Sequence, residues 1–351
     1  MDPLASPPQQ DGTVPDRRTL LASLAAFQRP STGRSITQLA MTAAPYAALV
    51  VLMYYSYYHI SCWLSLALAL PAAGFVVRLF IIQHDCGHGA YFRSRWANDI
   101  VGRLCSLTTY TPFAHWRRHH AAHHAVWNNL DKRPGDIYSG CLTLKEYEAL
   151  SPLRQRLYRA ALHPLVSQLL LPPVVFVLLY RIPFDAPKGW GKERVGVYLT
   201  NLGIGGFLLT LTLLLGWEPV LLVQLPVIIV ASIIGVWLFS VQHRFEDSLW
   251  ARQTEWTAAG AALHGSSWLK LPRILQWFTG NIGFHHVHHL MPRVPNYRLQ
   301  AAHRADPAFA AHVTGLTLWQ ALRAPSFTLW DEARGAMVRF PRRRRRGSAA
   351  V

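Results

Sequence analysis

Residues 62–88 read CWLSLALALPAAGFVVRLFIIQHDCGH: an apolar run of about twenty residues that ends in two histidines four positions apart, His84 and His88. The first part is long enough to cross a bilayer as a helix. The second part places both imidazoles on one helical face. The chain contains two comparable clusters, HHAAHH at 119–124 and HHVHH at 285–289. His120, His123 and His124, and again His285, His288 and His289, have the 0, 3, 4 spacing of one helical face. His243 stands alone at the end of another apolar run. Imidazole-rich sets suit iron, zinc, copper and nickel, whereas magnesium and calcium take oxygen ligands.

Composition agrees with a membrane setting. Of 351 residues, 51% are hydrophobic and 15% charged, against about a quarter charged in an ordinary soluble domain. The formal charge of +17 is read as basic loops on the cytoplasmic side and attraction to anionic lipid, not as nucleic-acid binding. The four cysteines show no CxxC spacing, so no disulfide framework follows. Cys86 lies within the first cluster, but its position between the histidines turns it away from them.

Apolar runs predict spans at about 36–59, 62–82, 195–217 and 220–241. The very short connections make two helical hairpins. Tyr54, Tyr55, Tyr57 and Tyr58 read as an interfacial belt, and Arg78 as a side chain that snorkels to the headgroups. A fifth run at 164–182 is demoted because Pro172 and Pro173 interrupt its hydrogen-bond ladder. An even number of crossings between His124 and His243 also keeps every cluster on one side of the bilayer. LLASLAAF, near the N-terminus, reads as a short helix lying on the membrane surface. Asn128, Asn129 and the run at 132–135 end the second cluster's helix. The expected organisation is a tail at 1–35, a membrane domain with a cap carrying the histidines at 36–325, and a basic tail at 326–351. Both termini and the clusters would be cytoplasmic.

Eight or nine imidazoles exceed what one tetrahedral zinc can use. Two metals are the economical reading, either a redox-active iron pair or a zinc pair activating water. His59, His163, His264, His303 and His312 lack partners at useful spacing. Asp85, Asp131, Asp136, Glu246, Asp247 and Asn281 are candidates to orient the ligands, since a metal-bound imidazole usually donates its other N–H to a carboxylate or carbonyl.

HDCGH with AYFRS, WRRHHAAHHAVWNNLDKRPGD, VWLFSVQHRFED and GNIGFHHVHHLMPRVPNYRL together resemble the membrane-bound fatty acid desaturases, over residues 35–325. The last of these stretches is nearest to enzymes acting at the Δ12 position. The resemblance implies an all-α integral membrane protein with four transmembrane helices and a cytoplasmic helical cap, in a bacterial inner membrane. It also implies two iron ions held by His84, His88, His120, His123, His124, His243, His285, His288 and His289. Dioxygen and two electrons would remove two hydrogens from a long acyl chain, giving a cis double bond and water. The second box fits His120, His123 and His124 when aligned on Trp116, which leaves His115 and His119 as supporting or capping residues. The alternative register His115-x3-His119-His120 stays open. His286 points off its cluster's face. Tyr110, Phe113 and Trp116 are candidates for the wall of an acyl tunnel.

No flavin, nicotinamide or iron–sulfur fingerprint is present. Electrons would therefore come from a ferredoxin or small cytochrome, drawn to a basic face that includes Arg117, Arg118, Lys132 and Arg133. The acyl group could arrive on a lipid, a carrier protein or coenzyme A. The rival expectations are a hydroxylase or ketolase on the same scaffold, and a non-catalytic metal-containing membrane protein.

Overall fold

The computed structural model describes residues 17–133, 138 and 140–341. Asp136, Pro134, Gly135 and the terminal arginine run lie outside the described residues. The chain opens with α1 (Arg17–Leu24) and continues into the long helices α2 (Thr32–His59) and α3 (Cys62–Gly87). Ile60 and Ser61 join the two long helices. Both of their N–H groups return to the Ser56 carbonyl, at 3.0 and 2.7 Å, and the Ser61 hydroxyl caps the next helix by accepting from Trp63 N. Next come α4 (Arg95–Thr109) and α5 (Phe113–Val126), then β1 (Leu142–Thr143), α6 (Leu144–Ala149) and α7 (Pro152–Ala161).

The proline-interrupted run is irregular. A π-helical turn (Leu165–Leu170) leads into α8 (Leu171–Val177) and a 3-10 turn (Leu179–Arg181), bent 50° from α7. Pro172 and Pro173 sit in the first turn of α8, where a missing N–H costs least. Two more long helices follow, α9 (Gly191–Leu215) and α10 (Trp217–His243). They are joined by Gly216 alone, at φ +80°, a conformation open to glycine. The remaining helices are α11 (Ala258–His264), α12 (Arg273–Phe278), α13 (His285–Leu290), α14 (Asn296–Ala305), α15 (Pro307–His312) and α16 (Leu318–Arg323). Short strands lie among them: β2 (Trp268–Lys270), β3 (Gly315–Thr317), β4 (Leu329–Asp331) and β5 (Ala336–Val338).

The four long helices, α2, α3, α9 and α10, are each apolar and long enough to cross a membrane. Leu202, Leu213 and Leu214 on α9 are each more than 70% exposed, an outward face suited to lipid rather than water. Inside, small residues on α3 (Ala69, Ala72, Ala73) let it approach Met53 of α2 and Val220, Val223 and Val227 of α10. The helical ladder of α3 runs on past the apolar residues through His84, so membrane helix and first histidine pair form one rigid piece.

Three local expectations change. Arg78 does not snorkel: it is buried, donates from Nε to Thr42 Oγ1 at 3.1 Å and from Nη1 to the Trp277 carbonyl, and stacks 3.9 Å above the Trp277 ring. With these contacts inside the protein, the guanidinium is held away from the headgroups. Tyr54 is not interfacial. It turns inward, and its hydroxyl accepts from Gln224 of α10 at 3.1 Å. The LLASLAAF helix lies on protein: Leu20 and Leu24 are fully buried in a cluster with Ile282, Val287 and Leu299. That cluster includes Val287 and Leu290 of the helix that carries the third histidine group.

Candidate metal centre

Four elements deliver the histidines. The C-terminal turn of α3 carries His84, with His88 as its cap; α5 carries His120, His123 and His124; α10 ends at His243; and α13 carries His285, His288 and His289. Two joints fix their mutual placement. After α5 the chain turns at Asn128, in the left-handed region at φ +55°. Its amide donates to the Leu249 carbonyl (2.8 Å) and to Ser248 Oγ (3.1 Å), and Ser248 Oγ donates to the His243 carbonyl at 2.6 Å. The end of α5 is thereby tied to the end of α10.

Before α13 the chain reverses through Gly280 and Asn281, both left-handed. A β-carbon at Gly280 would also meet Ile81 Cγ2 at 2.7 Å. Gln242 Nε2 then donates to the Ile282 carbonyl at 3.2 Å, and Leu269 N to the Gly283 carbonyl at 2.8 Å, which pins α13 beside α10.

The result is two neighbouring nests of imidazoles. One gathers His84, His88, His120, His124 and His288. Within it, His124 Nε2 lies 3.1 Å from His120 Nε2 and 3.0 Å from His288 Nε2. The other gathers His123, His243 and His289, and His285 joins them with its Nε2 2.9 Å from His243 Nε2 and 3.0 Å from His289 Nε2. The nests touch where the His124 and His289 rings stack at 4.2 Å. All nine residues singled out in the sequence are thus brought together.

Hydrogen bonding alone does not explain this arrangement. His243 Nε2 faces the Nε2 atoms of His123, His285 and His289 at 3.1, 2.9 and 3.2 Å. A neutral ring nitrogen carries one hydrogen or one lone pair, so it cannot bond all three. His88 Nε2 is buried with no hydrogen-bond partner. A cation among them would satisfy the Nε2 atoms that face one another. A six-coordinate ion with bonds of about 2.1 Å sets neighbouring ligands about 3 Å apart, which matches the spacing found here. Five nitrogens in one nest also exceed a tetrahedral set. The donors therefore fit nitrogen-loving metal ions, one in each nest.

Burial, and secondarily the neighbouring imidazoles, holds His120, His124, His285, His288 and His289 well below the ordinary histidine pKa. They are neutral at pH 7, the form that binds metal. In the unfolded chain the same rings titrate near ~6.5. Below that pH the unfolded chain takes up protons that the folded chain refuses, so their contribution to stability is present above about 6.5 and is lost as pH falls. Metal-stripped protein should therefore melt at steadily lower temperature between about pH 7 and about pH 5.5. A flat profile across that window would contradict a neutral nest.

Of the candidate orienting groups, Asp85 supports His84: its Oδ1 is 3.3 Å from His84 Nδ1, while its Oδ2 accepts from Asn296 N (2.6 Å) and Nδ2 (2.8 Å). Gln38 Nε2 donates in turn to Asn296 Oδ1 at 2.7 Å. Asn296 stands in the PNYRL stretch already noted for its resemblance, whereas Gln38 gave no signal. Asp131 instead accepts from Arg252 and from Gln253 N on the surface. Asn281 does not cap α13. It shapes the turn, donating to the Asn296 carbonyl and accepting from Gln276.

His286 turns away to His303, with Nε2 2.9 Å from His303 Nδ1. Cys86 faces Cys105 and Phe92 in an apolar cluster. Trp116 stacks on His120 at 4.6 Å, and Phe113 is buried in the Cys86 cluster. His115 and His119 are on α5 but face Asp185, outside both nests.

Comparison with known proteins agrees with this geometry. The family model described as fatty acid desaturase matches residues 60–321. A fatty acid desaturase of Bacillus subtilis (strain 168) is 43% identical over 325 residues, covering 92% of this chain and 91% of that protein. An sn-1 oleoyl-lipid 12-desaturase of Picosynechococcus is 27% identical over 237 residues, 64% of this chain and 63% of its own length. An sn-1 acyl-lipid omega-3 desaturase (ferredoxin) of Nostoc is 29% identical over 241 residues, 65% of this chain and 63% of its own length. With matching residues along almost its whole length and four helices fit to cross a membrane, the chain belongs to the fatty acid desaturase family of oxidoreductases.

Proposed function

We propose that the protein inserts a cis double bond into a long acyl chain at a di-iron centre held by His84, His88, His120, His124 and His288 in one nest and by His123, His243, His285 and His289 in the other. The observation that carries this reading is the pair of adjoining nests, assembled from segments as distant as residues 84 and 289. When bound, a pair of irons supplies the redox chemistry by which dioxygen and two electrons remove two hydrogens from adjacent methylene carbons. The protein's own part is to hold nine imidazoles in register, to keep bulk water from them by burial, and to present the acyl chain at one depth. Phe239 of α10, with its ring 5.2 Å from that of His123, stands where an apolar chain entering from the membrane helices would meet the nests.

The names of the relatives favour a lipid-linked acyl group, over carrier-protein or coenzyme A esters, and a ferredoxin as donor in place of a small cytochrome. The basic face expected to receive that donor is partly neutralised. Arg117 pairs with Asp99 at 2.7 Å, Arg118 with Glu193 at 3.1 Å and Arg133 with Glu146 at 2.6 Å. Docking by an acidic carrier then rests on the cations beside them, such as Lys132. The proposed setting is a bacterial inner membrane, with the nests and both termini on the cytoplasmic side.

Expression in a host lacking polyunsaturated lipids, followed by double-bond mapping of total fatty acids, tests the reading. A new fatty acid lighter by two hydrogens is expected. A product heavier by one oxygen would replace desaturation by hydroxylation, and an unchanged profile with no bound iron would leave only a non-catalytic membrane protein.

A further inference from the structure

Outside the two nests, α5 carries a second histidine pair. His115 and His119 are four residues apart on the helix and face the loop before α9, and their rings are 4.6 Å apart. Both address one carboxylate: His115 Nε2 lies 2.9 Å from Asp185 Oδ1, and His119 Nε2 lies 3.3 Å from Asp185 Oδ2. We propose that His115, His119 and Asp185 form a third, mononuclear site for one divalent transition-metal ion of the zinc or ferrous class, which fastens the loop before α9 to the helix bearing His120, His123 and His124.

The donor set is two imidazoles and a carboxylate, with room left for water, a combination that suits zinc and ferrous iron. A tetrahedral ion with bonds of about 2.0–2.1 Å sets its ligands about 3.3 Å apart, close to the separations seen here.

Asp185 is held in place independently of the histidines. Arg194 Nη1 of α9 donates to the Ala186 carbonyl at 2.9 Å, so the backbone beside Asp185 is anchored to a long helix. Arg181 and Asn201 brace the preceding turn, through Arg181 Nη1 to Asn201 Oδ1 (2.9 Å) and Asn201 Nδ2 to the Arg181 carbonyl (2.7 Å). Trp190 walls the other side, its ring 5.0 Å from that of His119. Arg118 stacks on Trp190 at 4.6 Å and is paired with Glu193, so it does not claim Asp185. A ligand set fixed from two helices before the ion arrives spends little ordering entropy on binding.

The test uses the iron-loaded full-length protein in lipid nanodiscs, equilibrated with Zn2+, desalted, and assayed for zinc and iron by mass spectrometry. Wild-type protein is expected to keep one zinc per chain alongside its iron. Asp185→Asn and His119→Gln should each lower the zinc retained by about tenfold or more, with iron unchanged. His119 is half-exposed, so the second substitution keeps the test valid if the first impairs folding. Zinc retained equally by wild type and variants would overturn the site, as would zinc that appears only in proportion to iron lost from the nine-histidine centre.

Discussion

His243→Ala should lower desaturation by more than about 100-fold and reduce bound iron, because even partners one step removed from a metal change affinity by about 10–100-fold. His243 is the residue on which its nest converges: the Nε2 atoms of His123, His285 and His289 all lie within 3.2 Å of its own. It belongs to none of the three clusters and hangs from the last turn of α10, so one substitution removes the only histidine that this helix brings to the nest. His264→Ala is the control. His264 lies in α11 with His312 as its ring neighbour among the described residues, at 6.1 Å, and its loss should leave activity and iron nearly unchanged. Equal activity in the two variants would remove His243 from the ligand set. Wild-type iron content with activity lost would give His243 a role other than holding metal.

The nine histidines that meet were legible because their signal is local. Spacings of three and four residues place imidazoles on one face whatever the rest of the chain does. How they divide between the nests was not legible. On α5, His120 and His124 face one nest while His123 faces the other, and on α13, His288 is separated from His285 and His289 in the same way. That partition depends on the rotation of each helix about its axis, which is set by joints such as Asn128 to Leu249 and Gln242 to Ile282, between residues with no sequence proximity.

The same limit explains the misreadings. An arginine near the end of an apolar run suggests a snorkelling side chain, because its partner, the Trp277 carbonyl, is almost two hundred positions away. An amphipathic segment such as α1 announces an apolar face, but not whether lipid or protein will cover it; here Ile282, Val287 and Leu299 do. Asp185 carried no signal at all, since its meaning comes only from the two histidines that meet it across the α5–α9 packing.

Asp85→Ala should produce two separable losses. Asp85 and Asn296 are both almost fully buried, and the carboxylate is the acceptor for Asn296 N and Nδ2. Truncation would leave two buried donors unsatisfied, at about 1–3 kcal/mol each, so a destabilisation of about 2–6 kcal/mol is expected in thermal or denaturant unfolding. The same change removes the oxygen 3.3 Å from His84 Nδ1, which frees that ring to rotate and should weaken metal retention by about 10–100-fold. Asp85→Asn separates the two effects. Its amide oxygen can still accept from Asn296, so most of the stability should return. Without the negative charge, the N–H of His84 loses its strongest acceptor, so metal retention should remain impaired. If the asparagine variant holds iron as tightly as wild type, Asp85 serves only to dock α14 against α3, and the orientation of His84 must come from its ring contacts with His88, His120 and His288.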